Sequence, residues 1–259
     1  MDKISVLVTT RNREAFLEEA LKSLCSQTHT NWEAVVVDNG SGGQGRQVVV
    51  EIGDSRIRYL KSSSNLGECG GRNLAFTQTT GDYLCYLDDD DSLPEDSLRS
   101  RLEFLNRHAG CGMIYAEYRR FRVEKGRRLS APLKVAHPYL TKSYYDRLLE
   151  KVGFRQEETF YFLKWFNFVR GGTPLIRRGA LERVGLFDDR LKIHGDYEMW
   201  LRLCQRFATR FLKQEVYDYR IHEGATQSRV SDKEKTFCAQ RICRKYGIRS
   251  SLHFGIKLG

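Results

Sequence analysis

The sequence predicts an α/β domain built on a central, mostly parallel sheet that is flanked by helices. Strand-like apolar runs alternate with amphipathic helical segments through the first hundred residues. Strands separated by helices form right-handed crossover units, in which successive strands run parallel. Ligands of such sheets bind at the carboxyl ends of the strands. We therefore expect functional residues directly after the strands.

The opening elements can be assigned in order. The run ISVLVT (4–9) predicts a buried strand, and apolar residues at helical spacing predict a helix over 13–27 that Asn12 caps. The next predicted elements are a strand at 32–38, a helix in GRQVVVEIG, a strand at 57–61, a helix in GGRNLAFTQT and a strand at 83–87. The ends of these four strands are expected to gather at one edge of the sheet.

The pattern changes after the fourth strand. PEDSLRSRLEFLNRH predicts a helix with its proline in the first turn. GMIYAEYRRFRVEKGRRL predicts a β-hairpin that turns at Lys125 and Gly126. A further helix is predicted in HGDYEMWLRLCQRF, with one apolar face made of Tyr197, Trp200, Leu203, Cys204 and Phe207. The tail from about residue 230 has the composition of a basic helix.

The charge of the chain indicates an anionic partner. The formal net charge is +10 and the pI is about 9.3, which fits nucleic acid, an anionic membrane surface or a phosphorylated substrate. Basic residues concentrate in RRFRVEKGRR (119–128) and in the tail from Arg229 to Lys257. A solvated basic face kept for solubility explains both stretches equally well.

Apolar runs and cysteines indicate the compartment. No stretch approaches the roughly 18 apolar residues of a membrane span, and the apolar part of the N-terminal segment is too short for a signal peptide. The seven cysteines are odd in number and include no CxxC pair, which disfavours disulfides or a zinc site. We therefore predict a cytoplasmic protein.

Four consecutive aspartates, Asp88 to Asp91, directly follow the fourth predicted strand. Like charges so close together repel and raise one another's pKa unless a cation lies among them. Oxygen ligands at a strand end suit Mg²⁺ or Mn²⁺. An exposed acidic loop is the alternative, but the buried strand places the run at the functional edge of the sheet, which favours a metal site.

Three kinds of metal site fit an acidic run. A calcium EF-hand loop is excluded, because counting from Asp88 puts Leu93 and Arg99 where glycine and glutamate are required. A haloacid dehalogenase-type phosphatase fits YLDDDDSL, with Asp88 as nucleophile and Asp90 as acid/base, but three strands then precede the motif unexplained. The third kind is the DxD-type motif of nucleotide-sugar glycosyltransferases.

Six motifs in order resemble family 2 glycosyltransferases of the GT-A fold, a Rossmann-like architecture. They are VLVTTRNR, VVVDNGS, NLGECGGRNLA, YLDDDDSLPED, GLFDDRL with GDYEMWLRL, and YRIHEGATQS, and together they cover roughly residues 3–228. The resemblance implies one domain over 1–228, with a nucleotide-binding half (1–110) and an acceptor-side half (111–228). A basic helical extension follows at 229–259.

The resemblance implies a nucleotide site. Thr10, Asn12 and Arg13 lie beside the nucleotide, and Asp38 accepts hydrogen bonds from the base or ribose. A turn residue in DNGSGG is the rival role for Asp38. Arg72 is placed near the diphosphate, and a surface helix arginine is an equally good explanation of it. Asp88 or Asp89 is expected to contact the ribose and sugar.

The resemblance also implies a metal ligand and a base. Asp90 is the principal ligand of Mn²⁺ or Mg²⁺, His222 approaches the metal or diphosphate, and Asp91 either supports the ligands or begins a helix. Asp196 matches the base that deprotonates the acceptor hydroxyl, with a helix N-terminal role as the alternative. Gly195 replaces the glutamate that relatives more often have before this aspartate. Glu198 is the fallback base.

The predicted function is a metal-dependent, inverting transfer of a sugar from a nucleotide-diphosphate donor to an acceptor hydroxyl, in polysaccharide or glycolipid assembly. The acceptor is expected to be a saccharide or lipid-linked molecule, with peripheral contact to an anionic membrane at its cytoplasmic face. No nucleic-acid partner is expected. The phosphatase and a basic nucleic-acid-binding module remain as alternatives.

Overall fold

The computed structural model describes residues 2–131, 156–164, 167–224 and 230–248. The strands in these residues are β1 Ile4–Thr10, β2 Trp32–Asp38, β3 Ile57–Lys61, β4 Tyr83–Asp88, β5 Cys111–Glu124, β6 Arg127–Ala131, β7 Leu175–Arg177 and β8 Ala208–Arg220. The helices are α1 Glu14–Cys25, α2 Gly45–Ile52, α3 Gly67–Thr77, α4 Ser97–Asn106, α5 Gln156–Leu163, α6 Arg178–Val184, α7 Gly195–Arg206 and α8 Asp232–Tyr246.

All eight strands belong to one mixed sheet in the order β3-β2-β1-β4-β7-β5-β6, with β8 paired to β5. The four strands predicted from the first half run parallel to one another. β7 is antiparallel to both β4 and β5, whereas β8 is parallel to β5. The predicted mostly parallel sheet is thus correct for the first half, and β7 and β8 complete it in a way that the sequence did not indicate.

Local predictions were mostly confirmed, with two corrections at helix starts. The hairpin turns at Lys125 and Gly126, which both have positive φ. Asn12 was expected to cap α1, but Arg13 occupies the N-cap position and no side chain caps the helix; Asn12 lies one residue earlier with φ of 53°. Pro94 was expected in the first turn of α4, but that helix begins at Ser97, so the proline precedes it.

Both faces of the sheet are buried at β1, β2 and β4, which explains the nearly continuous apolar character of these strands. Along β1, Ile4, Val6 and Val8 pack with α1 and α4 on one face, whereas Leu7 packs on the other with α3 and α7. The predicted apolar face of α7 lies in this second core. In the described residues, no helix is long and apolar enough to cross a membrane.

The helix predicted in the C-terminal tail packs onto the domain. Ser231 caps α8 through a reciprocal capping box with Glu234. Cys238, Ile242 and Tyr246 are buried in the same core cluster as α7. The rest of the predicted basic tail, from residue 249, lies outside the described residues.

Candidate active site

β4 delivers the aspartates to the carboxyl edge of the sheet, in a turn over residues 88–92 that we call the acidic loop. Asp88, Asp90 and Asp91 each offer a carboxylate oxygen, and these oxygens lie within 4.8 Å of one another. Asp89, the fourth aspartate, is buried, and its Oδ1 accepts a hydrogen bond from Arg13. Three of the four adjacent carboxylates therefore converge, which the sequence spacing alone does not reveal.

Arg13 partly neutralises the acidic loop. Its guanidinium Nη1 lies 3.1 Å from Asp89 Oδ1 and 2.5 Å from Asp90 Oδ2. Burial and the neighbouring charge of Asp90 nevertheless raise the pKa of Asp89 to about 7, against the opposing effect of Arg13. The positive charge of Arg13 therefore does not offset the effects of burial and of Asp90 on the pKa of Asp89.

Asp91 is the carboxylate that lacks partners most clearly. One oxygen accepts a 2.8 Å hydrogen bond from the Arg220 backbone N–H, while the buried Oδ2 has no hydrogen-bond partner among the residues that the structure describes. Burial, together with the charges of Asp88 and Asp90, raises the pKa of Asp91 well above its ordinary value. Converging oxygens with an unsatisfied buried acceptor fit Mg²⁺ or Mn²⁺, both of which prefer carboxylate ligands.

The end of β8 fixes the conformation of the acidic loop. Ser92 and Asp218 exchange two backbone hydrogen bonds of 3.1 and 2.9 Å. Arg220, which is buried, donates from Nε to the Asp90 carbonyl and forms an ion pair with Glu19. These contacts join residues far apart in the chain, so sequence reasoning missed Asp218 and Arg220. Their one sequence signal is a pair of charges within the apolar-alternating run VYDYR.

His222 and Asp90, both predicted as metal-site residues, lie together in the structure. His222 Nε2 is 2.9 Å from Asp90 Oδ2, the same oxygen that Arg13 contacts. The imidazole also packs edge-on against Phe16, with ring centroids 5.0 Å apart. The ring is thus held at the acidic loop by α1 on one side and Asp90 on the other.

Asp38, at the end of β2, differs from the acidic loop because its own turn surrounds it. Oδ1 accepts 2.9 Å and 2.5 Å hydrogen bonds from the backbone and hydroxyl of Ser41, and Oδ2 accepts from the Tyr59 hydroxyl at 2.5 Å. Burial opposes ionisation, but these hydrogen bonds outweigh it and lower the pKa of Asp38. Asp38 therefore has the turn role that the sequence left open, because its carboxylate holds the turn at Ser41.

The remaining nucleotide-side residues lie at the same edge. Thr10 is buried at the end of β1, and its side chain hydrogen-bonds Asp89. Asn12 is exposed, in the left-handed conformation that precedes Arg13. The β1 end and the acidic loop are therefore in direct contact through Thr10 and Arg13.

Arg72 is buried, so the surface alternative weighed for it is wrong. Its Nη2 lies 2.7 Å from Asp88 Oδ1 and 2.6 Å from Glu68 Oε1. Asp88 and Asp196 both raise the pKa of Arg72, against the effect of burial, so its charge lies within the field of both carboxylates. Arg72 thus connects the acidic loop electrostatically with the predicted base on α7.

Asp196 lies in the first turn of α7, beside the backbone of Gly171. The preceding His194 has φ of 62°, a conformation uncommon for a residue with a side chain, and it redirects the chain into the helix. A Cβ at Gly195 would lie 2.1 Å from Cys69 Sγ. The close approach of Cys69 on α3 therefore leaves no room for a side chain at position 195.

Glu198, the fallback base, lies in the interface between α7 and α8. The carboxylate is buried and contacts Arg202 at 2.9 Å, Lys245 at 2.5 Å and the Tyr246 hydroxyl at 2.8 Å. These contacts assign Glu198 to helix packing.

A family model decides between the enzyme classes left open by the sequence. The model described as glycosyl transferase family 2 matches residues 5–185. The chain belongs to glycosyl transferase family 2. The match spans β1 to β4 and so includes the three strands before the acidic loop that a phosphatase left unexplained, and it confirms the predicted glycosyltransferase.

Curated relatives agree with this family. The chain is 28% identical over 237 residues to a putative colanic acid biosynthesis glycosyl transferase, WcaA, of Escherichia coli K12, covering 90% of this chain and 77% of that protein. It is 35% identical over 109 residues to a GalNAc(5)-diNAcBac-PP-undecaprenol β-1,3-glucosyltransferase of Campylobacter jejuni, covering 41% of this chain and 35% of that protein.

Solved structures confirm the fold. Residues 1–349 of TarS of S. aureus, in complex with UDP-GlcNAc, align with a TM-score of 0.72 at 20% identity, covering 98% of this chain and 68% of that chain. The mannosyltransferase PcManGT of Pyrobaculum calidifontis, in complex with GDP-Man and Mn²⁺, aligns with a TM-score of 0.69 at 17% identity, covering 96% and 65%. The predicted GT-A-like α/β architecture is confirmed.

Proposed function

We propose that this protein transfers a sugar from a nucleotide-diphosphate donor to an acceptor hydroxyl, with inversion and with a divalent cation bound at the acidic loop. The observation that carries the proposal is the convergence of Asp88, Asp90 and Asp91 beside an electrostatic link, through Arg72, to Asp196. A cation site and a base are the two groups that such a transfer requires.

Asp88, Asp90 and Asp91 would hold the cation, and their oxygens suit Mn²⁺ or Mg²⁺. The Mn²⁺ in the PcManGT complex supports this choice. When bound, the cation neutralises the diphosphate of the donor and stabilises the charge that develops on the leaving nucleotide. His222 and Arg13 both contact the Asp90 carboxylate.

Thr10, Asn12, Arg13 and Asp38 form the nucleotide side of the proposed site. Asp38 is held by Ser41 and Tyr59. Its Oδ1 already accepts two hydrogen bonds, so Oδ2 is the oxygen that keeps capacity for one further hydrogen bond from a base or ribose. Asp89 lies buried behind Arg13, so it orients that arginine rather than contacting the sugar directly. Asp88, partly exposed, is the better candidate for the sugar or ribose contact.

Asp196 accepts the proton of the acceptor hydroxyl in this proposal. The placement of Asp196 at the start of α7 leaves the carboxylate only partly buried, within reach of an acceptor. Arg72 lies 2.7 Å from Asp88, and its positive charge also interacts with Asp196. An ionised Asp196 is the form that can act as a base.

The acceptor is proposed to be a saccharide on a lipid diphosphate, used at the cytoplasmic face of a membrane. Relatives whose names include undecaprenol-linked acceptors support this choice. The net charge of +10 is consistent with peripheral attraction to an anionic membrane.

A thermal-shift panel tests the donor and cation. UDP, GDP, dTDP and CDP are each added with and without Mn²⁺ to the wild type and to Asp90→Ala. We expect one nucleotide to raise the Tm in a metal-dependent way, and Asp90→Ala to lose that effect; a ligand at about 100 times its Kd stabilises by roughly 2.7 kcal/mol. Stabilisation by metal but by none of the nucleotides would contradict the proposal.

Turnover of Asp196→Asn tests the base. Loss of a general base lowers kcat by about 10²–10⁴-fold, whereas the nucleotide-dependent Tm shift should remain. Glu198→Gln is the matched control on the same helix, because it alters the α7–α8 packing and leaves Asp196 in place. Unchanged kcat in Asp196→Asn would assign the base elsewhere.

A further inference from the structure

The hairpin formed by β5 and β6 carries a concentration of positive charge. Residues 119–128 include six basic side chains and one acidic side chain. Arg119 and Arg128 are committed to Asp218, at 2.6 Å each. Within the described chain, Lys125 and Arg127 at the tip are exposed and have no ion-pair partner. The cations nearest the turn therefore remain available to a partner.

The same tip exposes apolar side chains. Val123 is 46% exposed and Leu129 is 38% exposed, although both are large hydrophobic residues. Cross-strand pairing sets Val123 opposite Arg128 and Leu129 opposite Arg122, so the two apolar side chains lie on opposite faces of the hairpin. The tip thus presents apolar surface on both faces, flanked by cations. Solvation of a basic surface explains the cations but not these apolar side chains.

The base of the hairpin is joined to the acidic loop. Arg119 and Arg128 both bind the Asp218 carboxylate, and the Asp218 backbone pairs with Ser92 of the loop. Arg128 also lies 3.3 Å from the Ser92 hydroxyl. A surface bound by the tip would therefore be held at a fixed distance from the proposed cation site.

The C-terminal helix α8, also basic, is used differently. Arg241 pairs with Asp188 at 2.7 Å and Lys245 pairs with buried Glu198 at 2.5 Å. The charges of this helix contribute to packing against the domain. Lys233 and Arg244 remain exposed there without ion-pair partners among the described residues. They offer a matched comparison for the two free cations of the hairpin.

We infer that the tip of the β5–β6 hairpin, residues 122–129, is the element that docks this protein onto an anionic lipid bilayer. Cations attract anionic headgroups, and flanking apolar side chains enter the interface between headgroups and acyl chains. A soluble polyanion would use the cations alone. The inference rests on the proposed function only in that a lipid-linked acceptor requires a membrane-bound enzyme.

Flotation with vesicles of phosphatidylcholine, with and without phosphatidylglycerol, tests the inference on the full chain. We expect binding that requires phosphatidylglycerol, and the double variant Lys125→Gln with Arg127→Gln should lower it about 30-fold. The control Lys233→Gln with Arg244→Gln changes the net charge equally and should bind as the wild type does. Equal losses in the two double variants would overturn the assignment to the hairpin.

A second pair of variants separates a bilayer from a soluble polyanion. Val123→Ser with Leu129→Ser should weaken vesicle binding while leaving binding to inorganic polyphosphate unchanged. Unaltered vesicle binding would overturn the bilayer proposal and indicate a polyanion such as nucleic acid. The Tm shift with nucleotide and Mn²⁺, measured on the same variants, keeps the two proposals apart: it should be unchanged in all of them, and it can fail while vesicle binding persists.

Discussion

Two buried aspartates, at the ends of the strands on either side of β1, have opposite surroundings. Asp38, after β2, receives three hydrogen bonds from Ser41 and Tyr59, and these lower its pKa. Asp91, in the acidic loop after β4, has one oxygen without a partner, and burial with like charges raises its pKa. The turn after β2 satisfies Asp38 within the chain itself, whereas Arg13 and Arg72 neutralise the acidic loop only in part.

The difference between Asp38 and Asp91 indicates which of the two strand ends is suited to bind a ligand. Buried charge is costly unless it is paired or coordinates a metal. A fold that only needed a turn after β4 could satisfy Asp91 as it satisfies Asp38. The clustering of oxygens from Asp88, Asp90 and Asp91 within 4.8 Å supports the proposal that this loop binds a cation.

The substitution Asp91→Asn is expected to have the largest effect, which is on Mn²⁺ affinity. The substitution keeps the shape of the side chain and removes one ligand charge, so we expect Mn²⁺ affinity to fall by about 100-fold or more, at or beyond the upper end of losses from outer-shell changes. In metal-free buffer the same variant should be more stable than the wild type, because the amide avoids the cost of burying or protonating a carboxylate beside Asp88 and Asp90. Denaturant unfolding in chelator checks this sign. Lower metal-free stability would contradict the comparison.

Asp38→Ala should have the opposite effect on stability. It leaves the Ser41 and Tyr59 donors without their acceptor, which costs about 1–3 kcal/mol of unfolding free energy. Mn²⁺ affinity should remain as in the wild type, because Asp38 belongs to a different strand end. A large loss of Mn²⁺ affinity would show that the two strand ends are not independent.

The pH dependence of metal-free stability separates the two regions further. The pKa of Asp89 is about 7 in the folded state against about 3.9 for an ordinary aspartate, so the folded state gains a proton first and stability should rise as pH falls from about 7 to about 4. Below about pH 4, groups with lowered pKa, such as Asp38, lose their hydrogen-bonded charge and stability should fall. Tm measured across this range in chelator should pass through a maximum.

Asp89→Asn is the control for that curve. It should reduce the rise between about pH 7 and pH 4 and leave the acid-side fall unchanged; the part of the rise that remains comes from Asp91 and Glu68, whose pKa values are also raised. An undiminished rise in Asp89→Asn would contradict the contribution of Asp89.

The smallest expected effect is on Tyr59→Phe. It removes one of the three hydrogen bonds to Asp38, and a single bond of this kind contributes about 0.5–1.5 kcal/mol. The loss should shift the urea midpoint without changing the slope of the transition. A loss as large as that of Asp38→Ala would place the whole stabilising effect on Tyr59.

The sequence predicted the half of the fold in which each element is locally recognisable. The apolar runs of β1 to β4 are buried on both faces, so each stands out against the helices between them. β7 has three residues, too few for a pattern. β8 carries Asp218 and Arg220 at buried positions, where their partners in β5, β6 and the acidic loop lie about a hundred residues away.

The site shows the same division between local and distant information. The motifs predicted that Asp90 and His222 belong to one site, and the structure places His222 Nε2 2.9 Å from Asp90 Oδ2. The burial of Asp91 and Arg72, and the contact that restricts position 195 to glycine, arise where α3, α7 and β8 meet. Such contacts depend on tertiary packing, which no single stretch of sequence encodes.

Titration of Mn²⁺, followed by the electron paramagnetic resonance of the free ion, tests the central claim most directly. Wild type, Asp91→Asn and Asp38→Ala are compared with and without the nucleoside diphosphate that stabilises the protein most. The account predicts one Mn²⁺ per chain for the wild type and Asp38→Ala, and affinity weakened by about 100-fold or more in Asp91→Asn. Equal Mn²⁺ binding by all three proteins would contradict a cation site at the acidic loop.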